Sequence, residues 1–505
     1  MSKFIKILSA GILLTALLSC EKNTDDTQNP DEAPFERYIK EVRYATENAG
    51  LSATFGIMLP ENYEQDTDRS YPVIYMLHGY GEHGKDWNSW VSAIKNLEAQ
   101  GLQEMIYVFP NCGNSYYSNF YKGKNRYMDL VTKDLVPYID SNYRTIADRE
   151  HRAVMGYSMG GFGAMVLPLK NPDMFSISVP LSMSFRTDEQ YMSESQSGWD
   201  NQWGRIFGGE GQSGEARLTD YYKEHCPFYQ FIPENKETLS TVKWFFHCGD
   251  DEEQLLIAND NLHVQLMENG YEHEFRISNG GHDGGYWRTA ARETLPWIQH
   301  VMNGGGQWEK TMITLNLKSS QLNEDGTFSS KAFNEAEEKD GLATWFVHDG
   351  LSRKTVDDCI GLLSQAGSIF QYMILPCDLS EKSLDEWMKH YRGKYHIGQT
   401  ADKSQVIAIG ETGKAVWEMS DEFKSFYLID ADLSEDEASI TADQDKFYYI
   451  ETVDDSRYYK DSNALYVSCK AKGAEFEYRM RNGISDKDQQ LMLAIQYAAD
   501  KLKYQ

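Results

Sequence analysis

Ser158 lies in Gly156-Tyr157-Ser158-Met159-Gly160, directly after the apolar run Ala153–Met155 and before a stretch of small and apolar residues. Strand, sharp turn and helix with glycine on both sides of a serine is the pattern of a nucleophile elbow. The glycines let two backbones pass close to the turn, so the hydroxyl stands exposed at its tip. Such a serine accepts an acyl group only if the chain also supplies a base, an acid that orients the base, and N–H donors for an oxyanion. Candidates follow in the order Ser, acid, His. The strand Val242–His247 runs into Cys248-Gly249-Asp250-Asp251-Glu252-Glu253, with four carboxylates in a row. Glu272–Ile277 reads as a further strand, followed by Asn279-Gly280-Gly281-His282-Asp283. A histidine on a glycine-rich loop after the last strand can reach the serine hydroxyl, so His282 is the expected base.

Other elements must place these groups. Tyr71–Leu77 reads as a buried strand running into His78-Gly79-Tyr80-Gly81-Glu82-His83-Gly84. A glycine-rich loop after a core strand presents backbone N–H groups, so the Tyr80 N–H and the Met159 N–H are the expected oxyanion donors. Asp86–Gln100 and Arg126–Tyr143 read as helices, and Met105–Pro110 and Met174–Leu181 as strands. Loops at the carboxyl ends of parallel strands line the site, which makes Tyr116 and Tyr117 candidates to stack on a sugar or an aromatic acyl group. Residues 182–240 form a long insertion without clear periodicity; it reads as a lid with Trp199 and Trp203 as substrate contacts.

At 505 residues the chain is long enough for two to four domains. Its formal charge of −28, from 77 acidic against 49 basic residues, disfavours nucleic acid and any other partner bound by neutralising phosphates. No zinc-type Cys/His spacing or P-loop is present, so the sequence calls for neither a metal nor a cofactor. Residues 1–20 have a basic start at Lys3 and Lys6, an apolar core over Ile7–Leu18, and the ending Leu17-Leu18-Ser19-Cys20. This resembles a bacterial lipoprotein signal, which implies a lipid on Cys20 and anchoring in an outer membrane, at its periplasmic face or the cell surface. Residues 21–34 are polar and acidic and read as a disordered tether. The six remaining cysteines are widely spaced and specify no disulfide pairing.

His78-Gly79, Gly156–Gly161, Cys248-Gly249 with its following acid, Asn259-x-x-Leu262-His263, and Gly280-Gly281-His282-Asp283 with Tyr286-Trp287 together resemble an α/β-hydrolase esterase family. It holds feruloyl and acetyl esterases of plant-polysaccharide degradation, esterase D-like enzymes, enterochelin esterases and mycolyltransferases. The resemblance covers roughly Phe35–Met302 and implies an α/β-hydrolase fold over 35–303, with Ser158 as nucleophile and His282 as base. It also brings Trp287 into the set of substrate-contact candidates. The family's acid falls four residues after the cysteine, at Glu252; Asp251 is the next choice, and Glu253, selected by counting back from Asn259, the third. The implied reaction is hydrolysis of feruloyl or acetyl esters on a polysaccharide or oligosaccharide. Acyl transfer to a sugar hydroxyl and non-catalytic glycan binding are the alternatives.

After a glycine-rich linker at 304–309 the pattern repeats. Lys446-Phe447-Tyr448-Tyr449 falls 203 residues after Lys243–Phe246, and Val406–Gly410 matches Arg152–Gly156 at an offset of 254. On that alignment Thr412 takes the place of Ser158 and Ser485 that of His282. Residues 310–505 therefore read as a second, degenerate esterase-like α/β domain, without a lid and without catalysis.

Overall fold

A computed structural model describes residues 39–50, 53–123, 125–306, 308, 326–329, 341–357, 360 and 372–481. Cys20, the tether, residues 307 and 309 of the linker, Cys359 and Ser485 lie outside the described residues.

In the first half the strands are β1 Lys40–Tyr44, β2 Ala53–Met58, β3 Val73–Leu77, β4 Ile106–Pro110, β5 Arg152–Tyr157, β6 Ile177–Leu181, β7 Lys243–Gly249 and β8 Glu274–Ser278. Their order in the sheet is β1-β2-β4-β3-β5-β6-β7-β8. β1 and β2 pair antiparallel, as do β2 and β4; the strands from β4 to β8 run parallel. Val73–Leu77, Ile106–Pro110, Arg152–Tyr157 and Ile177–Leu181 are buried along their whole length. Such continuous burial is what a parallel sheet covered on both faces requires. Helices α1 (Val91–Ala99) and α4 (Gly284–Met302) pack on one face, and α2 (Met159–Lys170) on the other; α3 (Glu253–Glu268) links β7 to β8. This is the α/β-hydrolase arrangement.

The second half adds β9 Phe328–Ser329, β10 Leu342–His348, β11 Tyr372–Asp378, β12 Ser404–Ile409, β13 Ser425–Ile429, β14 Phe447–Val453 and β15 Glu475–Arg481. Their order across the sheet, β15-β14-β13-β12-β10-β11-β9, mirrors β8-β7-β6-β5-β3-β4-β2. The two sets join where β15 meets β8 antiparallel, with Met480 opposite Ile277, to give one 15-stranded sheet. The offset between that pair is the offset of the sequence repeat. A pseudo-two-fold axis therefore passes through the junction. The described residues, from 39 to 481, cluster as a single compact unit.

The structure shifts the elbow match by two residues and the Lys243–Phe246 match by one, since Leu181 pairs with His247 where Ile429 pairs with Glu451. Gly410, not Thr412, occupies the place of Ser158. The Ser158 N–H donates to the Leu181 carbonyl at 3.0 Å, and the Gly410 N–H to the equivalent Ile429 carbonyl at 3.1 Å. Both residues have left-handed backbones, with φ of 56° and 54°. Thr412 corresponds to Gly160; its buried hydroxyl donates toward the Val347 and Ile409 carbonyls. Glu252 corresponds to Ser456, since each N–H donates to the carbonyl ending the preceding strand, Gly249 and Val453. The connection that spans 182–242 in the first half is reduced to 430–446 in the second.

Candidate active site

The elbow is built by close approach. A Cβ on Gly160 would collide with the Leu77 carbonyl, one on Gly161 would stand 2.6 Å from the Leu181 carbonyl, and one on Gly156 would meet Leu77 at 2.7 Å. Glycine at these positions lets β3, β6 and α2 converge on the turn. Ser158 itself has φ 56° and ψ −120°, a strained conformation for a side-chain residue. Backbone bonds on both sides hold it there: Ser158 N–H to Leu181, Ser184 N–H to the Ser158 carbonyl at 3.0 Å, and Phe162 N–H to the same carbonyl at 3.1 Å.

From the tip of this turn runs a continuous hydrogen-bonded line. Ser158 Oγ lies 2.9 Å from His282 Nε2, and His282 Nδ1 lies 2.8 Å from Glu252 Oε2. The His282 side chain is 37 % exposed, whereas that of Glu252 has no solvent access. Glu252 sits in the turn opening α3, and its other oxygen accepts the Gly249 N–H at 3.0 Å and the Ser182 hydroxyl. A buried carboxylate fixed by two donors holds the Nδ1–H tautomer, leaving Nε2 free to take a proton from serine. Asp251, the alternative acid, does not join this line. It is exposed, and its backbone N–H donates to the Gly280 carbonyl at 3.1 Å.

The oxyanion loop abuts the elbow. A Cβ on Gly160 would lie 2.9 Å from the His78 carbonyl, so the segment carrying Tyr80 is packed on the first turn of α2, where Met159 sits. The first N–H groups of a helix have no intrahelical acceptor, which leaves the Met159 N–H available. Glu82 clamps the loop: its Oε2 accepts the Gly79 N–H at 2.9 Å and the Tyr157 hydroxyl at 2.5 Å. Asn114 Oδ1 accepts the Gly81 N–H at 2.6 Å. His78 is buried; its Nε2 accepts the Cys112 N–H at 3.2 Å and its Nδ1 lies 2.8 Å from the Gly79 carbonyl, so it serves as a loop fastener.

The expected substrate aromatics are corrected. Tyr116, Tyr117 and Trp199 have no exposed surface, and Trp203 has 1 %. The Tyr117 hydroxyl donates to the His78 carbonyl, and the Trp199 indole N–H to the Gly209 carbonyl. Trp203 packs 4.3 Å from the Tyr116 ring. The aromatics of the insertion 182–242 thus extend the core on the α2 face of the sheet, and the insertion is pinned by buried Arg217, which donates to the Tyr191, Glu194 and Gln212 carbonyls. Trp287 is also buried. It stacks on Tyr157 at 4.1 Å, stands edge-on to His282 at 5.0 Å and donates to Ser182 Oγ at 2.7 Å, so it backs the imidazole. Tyr80 is the exposed aromatic on the oxyanion loop, 44 % accessible. Ser182 and Glu82 carry no motif around them, and only the packing reveals their roles.

Fold and site together define a serine hydrolase architecture: a half-buried hydroxyl on a strained elbow, a histidine that can accept its proton, and a buried acid. The sequence profile of the family described as Putative esterase matches residues 46–298, and the chain belongs to that family. An esterase of Mycobacterium tuberculosis is 28 % identical over 258 residues, covering 48 % of this chain and 54 % of that protein. An endo-1,4-beta-xylanase/feruloyl esterase of Xylanibacter ruminicola is 26 % identical over 263 residues, covering 50 % of this chain and 30 % of that one. The chain therefore spans about half the length, or less, of these curated relatives. A solved ferulic acid esterase is 28 % identical, with a TM-score of 0.46 over 53 % of this chain and 100 % of its own.

Proposed function

We propose that this protein hydrolyses carboxylic esters, with feruloyl or acetyl groups on plant polysaccharide or oligosaccharide as its substrates. The observation that carries the reading is the unbroken line from Ser158 Oγ through His282 to Glu252. Ser158 Oγ attacks the ester carbonyl as its proton passes to His282 Nε2. The Tyr80 and Met159 N–H groups receive the developing oxyanion, and Glu252 stabilises the imidazolium. Collapse of the intermediate releases the sugar hydroxyl, which takes the proton from His282. Water, deprotonated by the same imidazole, then attacks the acyl-serine and frees the acid. The feruloyl alternative draws support from the xylanase/feruloyl esterase relative.

Two further parts belong to the proposal. Cys20 carries a lipid that tethers the protein to an outer membrane. The second half is non-catalytic, because Gly410 and Ser456 stand where the nucleophile and acid would be.

The test is turnover of aryl acetyl, feruloyl and coumaroyl esters, with and without an added sugar acceptor. Release of free acid, abolished in Ser158→Ala, is the expected result. Acyl groups recovered on the acceptor would make the protein a transferase. Loss of membrane fractionation in Cys20→Ala checks the anchor.

A further inference from the structure

The junction of the two halves contains two copies of one ion pair, related by the pseudo-two-fold axis. Arg276 on β8 donates to Asp454, just past β14, at 2.5 Å. Arg479 on β15 donates to Asp250, just past β7. Each aspartate also accepts the N–H of the residue before its arginine: Phe275 to Asp454 at 3.1 Å, Tyr478 to Asp250 at 3.3 Å. All four charged residues are buried.

Only one copy touches the catalytic loops. Asp250 Oδ1 accepts the Gly280 N–H at 3.1 Å, while the Asp250 N–H donates to the Ser278 carbonyl and the Asp251 N–H to the Gly280 carbonyl, both at 3.1 Å. These bonds zip the loop bearing Glu252 to the loop bearing His282, with Glu252 directly after Asp251 and His282 two positions after Gly280. The fit leaves no slack: a Cβ on Gly249 would collide with the Gly280 carbonyl, and Gly280 has φ +146°.

We infer that Arg479, contributed by the second half, is a positioning residue for the Glu252–His282 pair, acting through Asp250 and Gly280. This rests on the triad reading above. The second half is then a brace that closes the catalytic loops. Burial pushes the Asp250 carboxyl up from its ordinary range and Arg479 opposes that push, so removing the guanidinium leaves a buried carboxylate uncompensated beside the loop it must hold. A displacement of about 1 Å in a catalytic group suffices for a large rate loss.

The symmetric pair provides the control. In the full chain, Arg479→Gln and Asp454→Asn each break one copy from the second-half side, and both should lower the melting temperature. Arg479→Gln is expected to lower kcat at least tenfold with KM within twofold, Arg479→Lys to restore kcat to within threefold of the parent, and Asp454→Asn to leave kcat within twofold. If Arg479→Gln does not fold, Asp250→Asn against Asp454→Asn makes the same comparison with one chemical change at equivalent positions. Equal kcat in Arg479→Gln and the parent, or equal losses in the two members of either comparison, would overturn the inference while the triad reading stands. Turnover that survives Ser158→Ala would overturn both.

Discussion

The two halves of this chain share a strand order, a junction and an elbow, and differ in what stands on the elbow. In the first, Ser158 holds φ 56° at the cost of strain; in the second, Gly410 holds φ 54° without it. Glycine relaxes the turn and removes the hydroxyl in one change. Where Gly160 lets the β3 backbone close on the helix, Thr412 bonds the equivalent Val347 carbonyl through its hydroxyl. The first half accepts a strained and crowded turn because a nucleophile must project from it. The second keeps the framework with local bonds that a purely structural turn permits.

The largest effect that sharpens this contrast concerns the acid. Glu252→Gln cannot stabilise the imidazolium or hold the Nδ1–H tautomer in the same way, and kcat is expected to fall about 10⁴-fold. Asp251→Asn, one residue away and exposed, should change it less than about twofold on the same assay. Parity between the two variants would break the assignment of Glu252.

A smaller effect tests the packing of the elbow. Gly160→Ala places a methyl against the Leu77 carbonyl and should destabilise the first half by about 2 kcal/mol, measured by urea unfolding, with loss of turnover. Thr412→Ser in the second half, which retains the bonding hydroxyl, should cost about 1 kcal/mol and leave kcat unchanged.

The smallest lies at the pseudo-two-fold. Asp260 on α3 meets its repeat partner Asn463, on α5 (Tyr459–Lys472), through a 2.8 Å bond from the Asn463 amide. Burial pushes the Asp260 carboxyl up to about 7. A carboxyl whose pKa is raised on folding favours the native state most at low pH. That contribution falls away as pH rises from about 4 through 7. Asp260→Asn should flatten this part of the stability profile, measured by urea unfolding across the pH range. An unchanged slope would show that the junction does not hold a titrating carboxyl.

Much of the site was legible in the sequence because its demands are local. In the first half Gly156, Gly160 and Gly280 are demanded by the close approach of neighbouring backbone and side chains, and the serine and histidine beside them by the chemistry. The acid was less legible: four consecutive carboxylates all suit the start of a helix, and only the direction each takes at the opening of α3 separates Glu252 from Asp251. The aromatics misled for a different reason. Tyr116, Trp199 and Trp203 lie in segments without periodicity, yet they fold onto the core beside α2, which no spacing rule reveals. The repeat itself was visible in apolar matches. Its two-residue error arose because apolar strand residues fix a match only loosely, whereas the bonds at Leu181 and Ile429 fix it to the residue.

The most direct test is covalent labelling of the intact protein with an active-site-directed fluorophosphonate, followed by peptide mass mapping. The account predicts one label per chain, on Ser158, lost in Ser158→Ala and absent from every second-half peptide. A label on a second-half residue, or reactive wild type that leaves Ser158 unmodified, would contradict the division between a working elbow and its relaxed duplicate.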